Sequence, residues 1–233
     1  MTLDFSRFDA LTFDCYGTLI DWERGILDAV RALASGHDVT LPGDDAVLER
    51  FARAESEAEK GAWAPYRHVL EEVAIRLSEE MGFRATRPEA AAFAASVAAW
   101  PAFPDSPAAL ARLATRFRLA VVSNVDDDLF AGSAAQLGVD FDQVVTAQQV
   151  RSYKPAHAHF HEVLRRLDLP MERVLHVAQS LYHDIAPARA LGFTCVWVNR
   201  RAGRPGGGAT AAASATPHLE VPDLATLASL AVG

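Results

Sequence analysis

The sequence has little that would build a disulfide framework, a membrane span or a fibre. Its 233 residues include only two cysteines, Cys15 and Cys195, both in apolar surroundings. This usage predicts a reducing compartment and excludes a disulfide-stapled fold. Apolar runs such as residues 119–122 are far too short to cross a bilayer, and we find no repeats. We therefore expect a globular protein that does not enter the membrane.

Positive charge and targeting signals are also scarce. The chain has 22 Lys and Arg against 30 Asp and Glu, a net charge of −8, which argues against a nucleic-acid surface. The stretch 1–6 has neither a basic nor an apolar region of the kind that signal peptides carry, so we expect a cytoplasmic protein. Acidity alone does not exclude a small anionic ligand, because a site can be locally positive.

The clearest pattern is a series of short apolar, β-branched runs that alternate with helical stretches. Continuous apolar runs bounded by turns are typical of strands buried on both faces. Their alternation with helices predicts an α/β fold with a Rossmann-like parallel sheet. The runs cover residues 10–13, 119–122, 143–146, 174–177, 194–198 and 219–221.

Residues 22–100 interrupt this alternation. They contain no strand-like run and are rich in Ala, Glu, Arg and Leu, which favour helix. We predict helices near 23–35, 44–60, 66–81 and 88–99, inserted after the first strand. Farther on, the Gly- and Ala-rich stretch 200–217 predicts a mobile surface loop.

Polar side chains follow four of the predicted strands. In an open parallel sheet, ligands bind beyond the carboxyl ends of the strands, so these side chains should share one edge. A bare Asp after an apolar strand is costly unless it has a partner or a function. The residues are Asp14, Tyr16 and Thr18 after the first strand, Ser123 and Asn124 after the second, Lys154 after the third, and Gln179, Ser180 and Asp184 after the fourth.

These motifs resemble those of a known enzyme superfamily. Asp14-Cys-Tyr-Gly-Thr18, Ser123-Asn124, Lys154-Pro155 and Asp184 are similar, in order, to the four motifs of haloacid dehalogenase superfamily hydrolases. The resemblance covers essentially the whole chain. It implies a Rossmann-like catalytic core over residues 1–21 and 101–233, with a helical cap domain over residues 22–100.

Two positions decide which chemistry the resemblance implies. Phosphatases of the superfamily use Asp-x-Asp, whose second Asp protonates the leaving alkoxide, but here that position is Tyr16. A halide ion leaves without a proton. A carboxylate that helps to hold Mg²⁺ in those phosphatases is replaced by the neutral Gln179. The chain therefore resembles the 2-haloacid dehalogenase branch, which hydrolyses small 2-haloalkanoic acids without a metal or other cofactor.

The resemblance also implies roles for six catalytic residues. Asp14 attacks the carbon that bears the halogen and forms an ester, which water then cleaves. Lys154 holds Asp14, while Asp184 pairs with Lys154 and helps to activate the water. Thr18, Ser123 and Asn124 donate hydrogen bonds to Asp14 or to the substrate carboxylate.

The substrate is expected to meet a second set of side chains. Tyr16, Gln179 and Ser180 come from the core, and Trp22 and Tyr66 come from the insertion, where packing within the insertion explains them equally well. An arginine of the insertion is expected to receive the halide or the carboxylate. The candidates for that arginine are Arg24, Arg53 and Arg67.

Two other functions remain open. One is a phosphatase of the same superfamily with a weak Mg²⁺ site on Asp14 and Asp184. The other is a catalytically silent binding protein on the same scaffold. The expected partner is a small halogenated carboxylate, and the resemblance is also compatible with a homodimer.

Overall fold

The computed structural model describes residues 3–204, 208–210 and 213–233. A six-stranded parallel sheet has the strand order β3-β2-β1-β4-β5-β6, so the first strand lies next to the centre. β1 and β4 form the central pair. The chain runs from β1 through β2 to β3 at one edge, and from β4 through β5 to β6 at the other. The strands are β1 (Ala10–Phe13), β2 (Arg118–Ser123), β3 (Gln143–Thr146), β4 (Val174–Ala178), β5 (Thr194–Val198) and β6 (Leu219–Val221).

The central strands are apolar on both faces because helices cover both faces of the sheet. Leu11 and Phe13 of β1 belong to one apolar cluster, and Ala10 belongs to the other. In β2, Leu119 packs with the first cluster and Val122 with the second. Successive side chains of each strand point to opposite faces, and both faces are buried. This is why the strands form continuous apolar runs in the sequence. The predicted α/β class and the Rossmann-like sheet are confirmed.

Ten α-helices accompany the sheet in the described part of the chain. Helices α5, α6 and α10 pack on one face, and α8 and α9 pack on the other. The helices are α1 (Trp22–Ala34), α2 (Asp44–Ala58), α3 (Tyr66–Glu80), α4 (Arg87–Ala95), α5 (Ser106–Ala114), α6 (Asp127–Leu137), α7 (Ala147–Val150), α8 (Ala158–Leu167), α9 (Ala186–Leu191) and α10 (Leu224–Val232).

The segment from residue 22 to residue 100, called here the inserted segment, holds α1 to α4. Local sequence sets the ends of these helices: Asp21 caps α1, and Thr86 and Glu89 form a capping box at the start of α4. The four helices lie where the sequence predicts them. Whether the inserted segment is a separate cap domain stays a prediction.

The chain leaves and re-enters the core through two segments that run side by side. Ile20 forms an antiparallel bridge with Ala102. The Asp21 amide donates to the Pro101 carbonyl, and the Phe103 amide donates to the Leu19 carbonyl. These backbone bonds fix the inserted segment close to the carboxyl end of β1.

The prediction of a surface loop over residues 200–217 is wrong for part of that stretch. Ala209 is buried, and Arg201 forms an ion pair with Glu23 at the start of α1. Thr210 donates to the side chain of Gln179 at 3.3 Å. Apolar packing and these polar contacts hold the described part of the stretch against the core. The predicted positions 205–207 and 211–212 lie outside the described residues.

The two cysteines are free and buried, as their apolar surroundings predict. In the part of the chain that the structure describes, no helix combines the length and the apolar character that a membrane crossing requires.

We expect Gly132→Ala to destabilise the fold. A Cβ at Gly132 in α6 would overlap the backbone carbonyl of Ala98 and lie 2.7 Å from the Ala98 Cβ, and neither can move without shifting the backbone. Overpacking of this kind costs about 1–3 kcal/mol in the free energy of unfolding, which exceeds the gain in helix propensity. Urea unfolding should show this loss. Gly61→Ala, where a Cβ would meet open space, should change little; equal effects at the two positions would contradict the packing argument.

Candidate active site

A buried ammonium group joins the motifs that follow the strands. Asp14 is the first residue after β1, and its Oδ1 accepts a hydrogen bond from Lys154 Nζ at 2.8 Å. The same nitrogen donates to Asp184 Oδ1 at 2.8 Å and to the Val122 carbonyl at 3.0 Å. Lys154 is 1% exposed. All three hydrogens of the ammonium are therefore used, and two carboxylates share its charge.

This arrangement keeps Lys154 charged. Burial alone would lower the pKa of its ammonium, but Asp14 and Asp184 raise that pKa above its ordinary value because they stabilise the charged form. Burial raises the pKa of the Asp14 carboxyl, and Lys154 opposes this shift by donating to the ionised form.

Asp184 has a second partner that the sequence analysis missed. It lies in a π-helical turn over Leu181–Ile185, and its Oδ1 lies 3.1 Å from Nε2 of His176, a buried residue of β4. A carboxylate only accepts, so Nε2 carries a hydrogen, and Thr12 Oγ1 lies 3.0 Å from Nδ1 on the other side of the ring. Burial would raise the pKa of Asp184, but Lys154 and His176 hold it at about 2. The sequence signal that could have predicted this partner is the polar His176 within the otherwise apolar run 174–178.

Thr18 returns to Asp14 through a tight turn. Its Oγ1 donates to Asp14 Oδ2 at 2.6 Å and accepts from the Gln179 amide at 2.8 Å. The turn needs Gly17, which has a φ of +90° and where a Cβ would lie 2.9 Å from the Trp22 indole nitrogen. Thr18 thus holds the second carboxylate oxygen of Asp14, as the motif suggests.

Asn124 supports the backbone of Lys154. Its amide oxygen accepts from the Lys154 backbone amide at 2.7 Å, and its amide nitrogen donates to the Lys154 carbonyl at 3.1 Å. A donation from Asn124 to Asp14 or to a substrate carboxylate, which the motif implies, stays a prediction. Ser123 differs, because its Oγ is buried without a hydrogen-bond partner among the described residues.

Tyr16 occupies the position of the phosphatases' acid catalyst. Its hydroxyl lies 3.0 Å from Ser133 Oγ, and its ring packs edge-on against Trp100. Burial raises the pKa of its phenol well above the ordinary value. A phenol held in this way is a poorer proton donor than a carboxylic acid.

Most of the motif residues line a small cavity of about 40 Å³. One water needs roughly 10–15 Å³ of such space, so the cavity suits a molecule of a few heavy atoms. The catalytic and substrate-binding residues proposed from the sequence all line it except Thr18 and the candidate arginines, and the lining includes Trp22 and Tyr66. Its core side is formed by Asp14, Tyr16, Ser123, Asn124, Lys154, Gln179, Ser180, His183 and Asp184.

The arginine expected from the inserted segment does not reach this cavity. Arg24 lies 3.8 Å from Asp28, Arg53 pairs with Glu80, and Arg67 pairs with Asp128, all away from the lining. The three candidates are therefore wrong. The inserted segment contributes two acids instead, Glu55 and Glu59. No pattern in the sequence marks them, because a Glu-rich helix such as α2 has the composition of a solvated surface helix.

Two further lining residues are held by their own turn. Ser180 Oγ accepts from the His183 amide at 2.8 Å and lies 3.2 Å from Nδ1 of the same residue. Burial lowers the pKa of His183 to about 4, so its imidazole is neutral at pH 7. The backbone carbonyl of Gln179 accepts from Trp197 at 2.8 Å.

Asp126 connects the inserted segment to the core. The sequence suggests that it is an ordinary first-turn charge of α6, but it is 4% exposed and accepts from the backbone amides of Tyr66 and Arg67 at 3.0 and 2.9 Å. It therefore caps the first turn of α3, a helix of the other segment. Tyr153 adds a bond from its hydroxyl to the Ala64 carbonyl at 2.7 Å.

The donor set does not favour a magnesium ion. Asp14 Oδ1 and Asp184 Oδ1 both accept from the same ammonium, Thr18 takes Asp14 Oδ2, and Gln179 supplies no charge. Among the described residues, no three His, Cys, Asp or Glu side chains are placed together to hold a metal. Of the four carboxylate oxygens of Asp14 and Asp184, Asp184 Oδ2 is the one without a hydrogen-bond partner among the described residues.

A wider groove of about 780 Å³ lies elsewhere, along α3 and α4. It is lined by residues such as Glu72, Arg76 and Arg84 and contains none of the motif residues. Size alone therefore does not identify the site; the convergence of the strand ends does.

Comparison with known proteins agrees with this geometry. A family model described as a haloacid dehalogenase-like hydrolase matches residues 8–192. The chain is 25% identical over 225 residues to (S)-2-haloacid dehalogenase H-109 of Pseudomonas putida, with coverage of 93% of this chain and 94% of that protein. It is 28% identical to 5-amino-6-(5-phospho-D-ribitylamino)uracil phosphatase YigB of Escherichia coli (strain K12), with coverage of 96% of each.

A solved structure shares the same fold. The L-2-haloacid dehalogenase from Xanthobacter autotrophicus with chloropropionic acid covalently bound superposes with a TM-score of 0.79 at 23% identity. The match covers 97% of this chain and 99% of that one.

We expect Lys154→Met to destabilise the protein by about 3–5 kcal/mol at pH 7, because two buried carboxylates lose their cation. Without the ammonium the already raised folded-state pKa of Asp14 rises further and that of Asp184 rises above its unfolded value, so protonation on acidification should recover part of the loss. In the unchanged protein the depressed pKa of Asp184 contributes stability above its ordinary pKa, and this contribution disappears as the pH falls to about 2. The difference in the free energy of unfolding between Lys154→Met and the unchanged protein should therefore be smaller at pH 4.5 than at pH 7.

Urea unfolding at both pH values measures this difference. Lys60→Met, at the chain's other lysine, which is exposed, should change the free energy of unfolding by less than about 0.5 kcal/mol. A loss for Lys154→Met that is the same at both pH values would show that the carboxylates do not depend on the ammonium.

Proposed function

This chain belongs to the haloacid dehalogenase-like hydrolase family, and on that basis we propose that it hydrolyses the carbon–halogen bond of small 2-haloalkanoic acids. The proposal needs no metal and forms an ester on Asp14. One observation carries it: the nucleophile is held by an ammonium and a hydroxyl, while a buried phenol stands where a proton donor for an alkoxide would be needed.

The first step is a displacement at carbon. An oxygen of the Asp14 carboxylate attacks the carbon that bears the halogen, an Asp14–carbon ester bond forms, and the carbon–halogen bond breaks with its electron pair leaving as halide. No proton is transferred, so Tyr16 has none to supply. Lys154 and Thr18 hold Asp14 in one orientation, which reduces the entropic cost of the attack.

The second step regenerates the nucleophile. Water adds its oxygen to the carbonyl carbon of the Asp14 ester, the bond between that carbon and the alkyl oxygen breaks, and the product hydroxy acid leaves with the oxygen that came from Asp14. Of the two protons of the water, one ends on the departing alkyl oxygen, which becomes the product hydroxyl, and the other is released. The free Oδ2 of Asp184 is the acceptor we propose for orienting that water, although a carboxyl with a pKa of about 2 is a weak base.

Substrate size and orientation follow from the cavity. Its volume of about 40 Å³ favours acids of two or three carbons. Ser123 Oγ has no described partner and is the donor we propose for the substrate carboxylate. We also propose that the inserted segment acts as a cap domain, since Trp22 and Tyr66 close the cavity from its side.

A phosphatase is the second candidate. Two observations favour it: the E. coli relative is named as a phosphatase, and Asp184 Oδ2 is free. The engaged oxygens around Lys154 and the absence of an acid at Tyr16 argue against it. A binding protein without turnover is the third candidate.

Chloride release from 2-chloropropionate in the presence of EDTA tests the three candidates. We expect turnover with EDTA present and no Mg²⁺-dependent release of phosphate from p-nitrophenyl phosphate. Asp14→Asn should reduce chloride release by at least 1,000-fold, on the order of what removal of a nucleophile costs. Phosphate release that needs Mg²⁺, without chloride release, would favour the phosphatase. No turnover of either would favour the binding protein.

Oxygen-18 water tests the ester intermediate. With enzyme in excess over 2-chloropropionate, the first turnover in labelled water should give lactate whose new hydroxyl oxygen is unlabelled, because that oxygen comes from Asp14. Later turnovers should give labelled product. Mass spectrometry of the lactate measures this difference, and labelled hydroxyl in the first turnover would mean that water attacks the substrate directly.

A further inference from the structure

The wall of the cavity that the inserted segment supplies is acidic. Glu55 of α2 is 6% exposed, and its Oε1 accepts a hydrogen bond from the Tyr66 hydroxyl at 2.5 Å. Glu59 lies one turn farther along and lines the same cavity. Among the described lining residues, the one side chain that is cationic at pH 7 is Lys154, whose three hydrogens are already donated.

An anionic substrate therefore enters a cavity with no free cation. In its ionised form Glu55 would repel the carboxylate of a substrate a few ångströms away. In these buried surroundings such repulsion is weakly screened. In its protonated form the same group is a hydrogen-bond donor. The sign of the interaction with an anion thus depends on whether Glu55 holds a proton.

We propose that Glu55 is a specificity-determining residue of this cavity: protonated, its carboxyl group donates a hydrogen bond to an anionic substrate, and ionised, it repels that substrate. Tyr66 holds one oxygen of Glu55, so the other oxygen carries the proton and faces the ligand. The inference rests on the proposed function, because it concerns how the same cavity accepts a 2-haloalkanoate.

The surroundings of Glu55 bring its pKa close to neutral pH, where both of its charge states are populated. Burial raises the pKa of Glu55 to about 7, and the hydrogen bond from Tyr66 opposes the rise because it stabilises the ionised form. Burial and the charge of Glu55 also raise the pKa of Glu59. The other titratable or charged groups around this pair are Tyr66 on α3, Tyr153 and Lys154 before α8, Asp14 and Tyr16 after β1, and His183 and Asp184 in the π-helical turn.

The sign of the pH dependence follows. Below pH 7 Glu55 is protonated and binds the anion; as the pH rises through 7 it ionises. We expect kcat/KM for 2-chloropropionate to fall about 50-fold from pH 7 to pH 9, as a single deprotonation gives, while kcat/KM for the neutral 2-chloropropionamide changes less than about threefold. Chloride release measures both, so the same carbon–chlorine bond is compared with and without the charge.

Glu55→Gln is the decisive variant. The Gln amide donates at every pH and its carbonyl still accepts from Tyr66, so the fall between pH 7 and pH 9 should shrink below about threefold with 2-chloropropionate. Glu57→Gln on the same helix is the matched control, since Glu57 is exposed and pairs with Arg76; it should keep the full fall. Tyr66→Phe removes the bond that favours ionisation and should move the fall to higher pH.

The outcomes separate this inference from the proposed function. Chloride release from neither substrate at any pH would overturn the proposed function and the inference together. Chloride release with a fall that persists in Glu55→Gln, or that is equal for the acid and the amide, would overturn the inference alone. Turnover of the amide but not of the acid at pH 6 would also overturn it, and would indicate a site for neutral substrates. Thermal unfolding of each variant shows whether a loss of activity reflects loss of the fold.

Discussion

The ammonium of Lys154 is the interaction on which the site depends. Removing two carboxylates and an ammonium from water is costly, and their attraction offsets this cost only when every donor and acceptor is placed well. Here the geometry meets that condition with three donations from one nitrogen, two of them to Asp14 and Asp184. The backbone of Lys154 is fixed in turn by Asn124. The cost of charge burial is therefore offset by a network that also fixes the orientation of Asp14.

The sheet makes this network possible because three neighbouring strands end at one edge. β1 delivers Asp14, β2 supplies the Val122 carbonyl and Ser123, and β4 leads to the turn that carries Asp184. Helix N-termini and turns near that edge then add short-range constraints, such as the bond from Thr18 to Asp14. Asp126 links the inserted segment to this edge by binding the first turn of α3. Tyr66, the first residue of that helix, therefore forms part of the cavity wall.

Much of the fold and most of the residues that line the cavity could be predicted from the sequence. The strands and the four inserted helices follow from apolar periodicity and from capping residues such as Thr86, because these act over a few neighbours. The motif residues could be gathered at one edge because parallel strands share their carboxyl ends. The partner of Asn124, the burial of Asp126 and the approach of Glu55 could not, since each depends on how segments distant in sequence pack. The arginine candidates were wrong for the same reason: a charge pattern does not tell which side of a helix faces the core.

The order of strands and motifs is enough to predict which residues meet at the end of the sheet. It is also enough to show that the second motif position lacks an acid. Those features depend on local chemistry and on the order of strands. Tertiary structure decided what surrounds them: His176 behind Asp184, and a wall of Glu55 and Tyr66 without an arginine. The charge and volume that a substrate encounters are sums over side chains from several helices, and only packing fixes which of those side chains face inward.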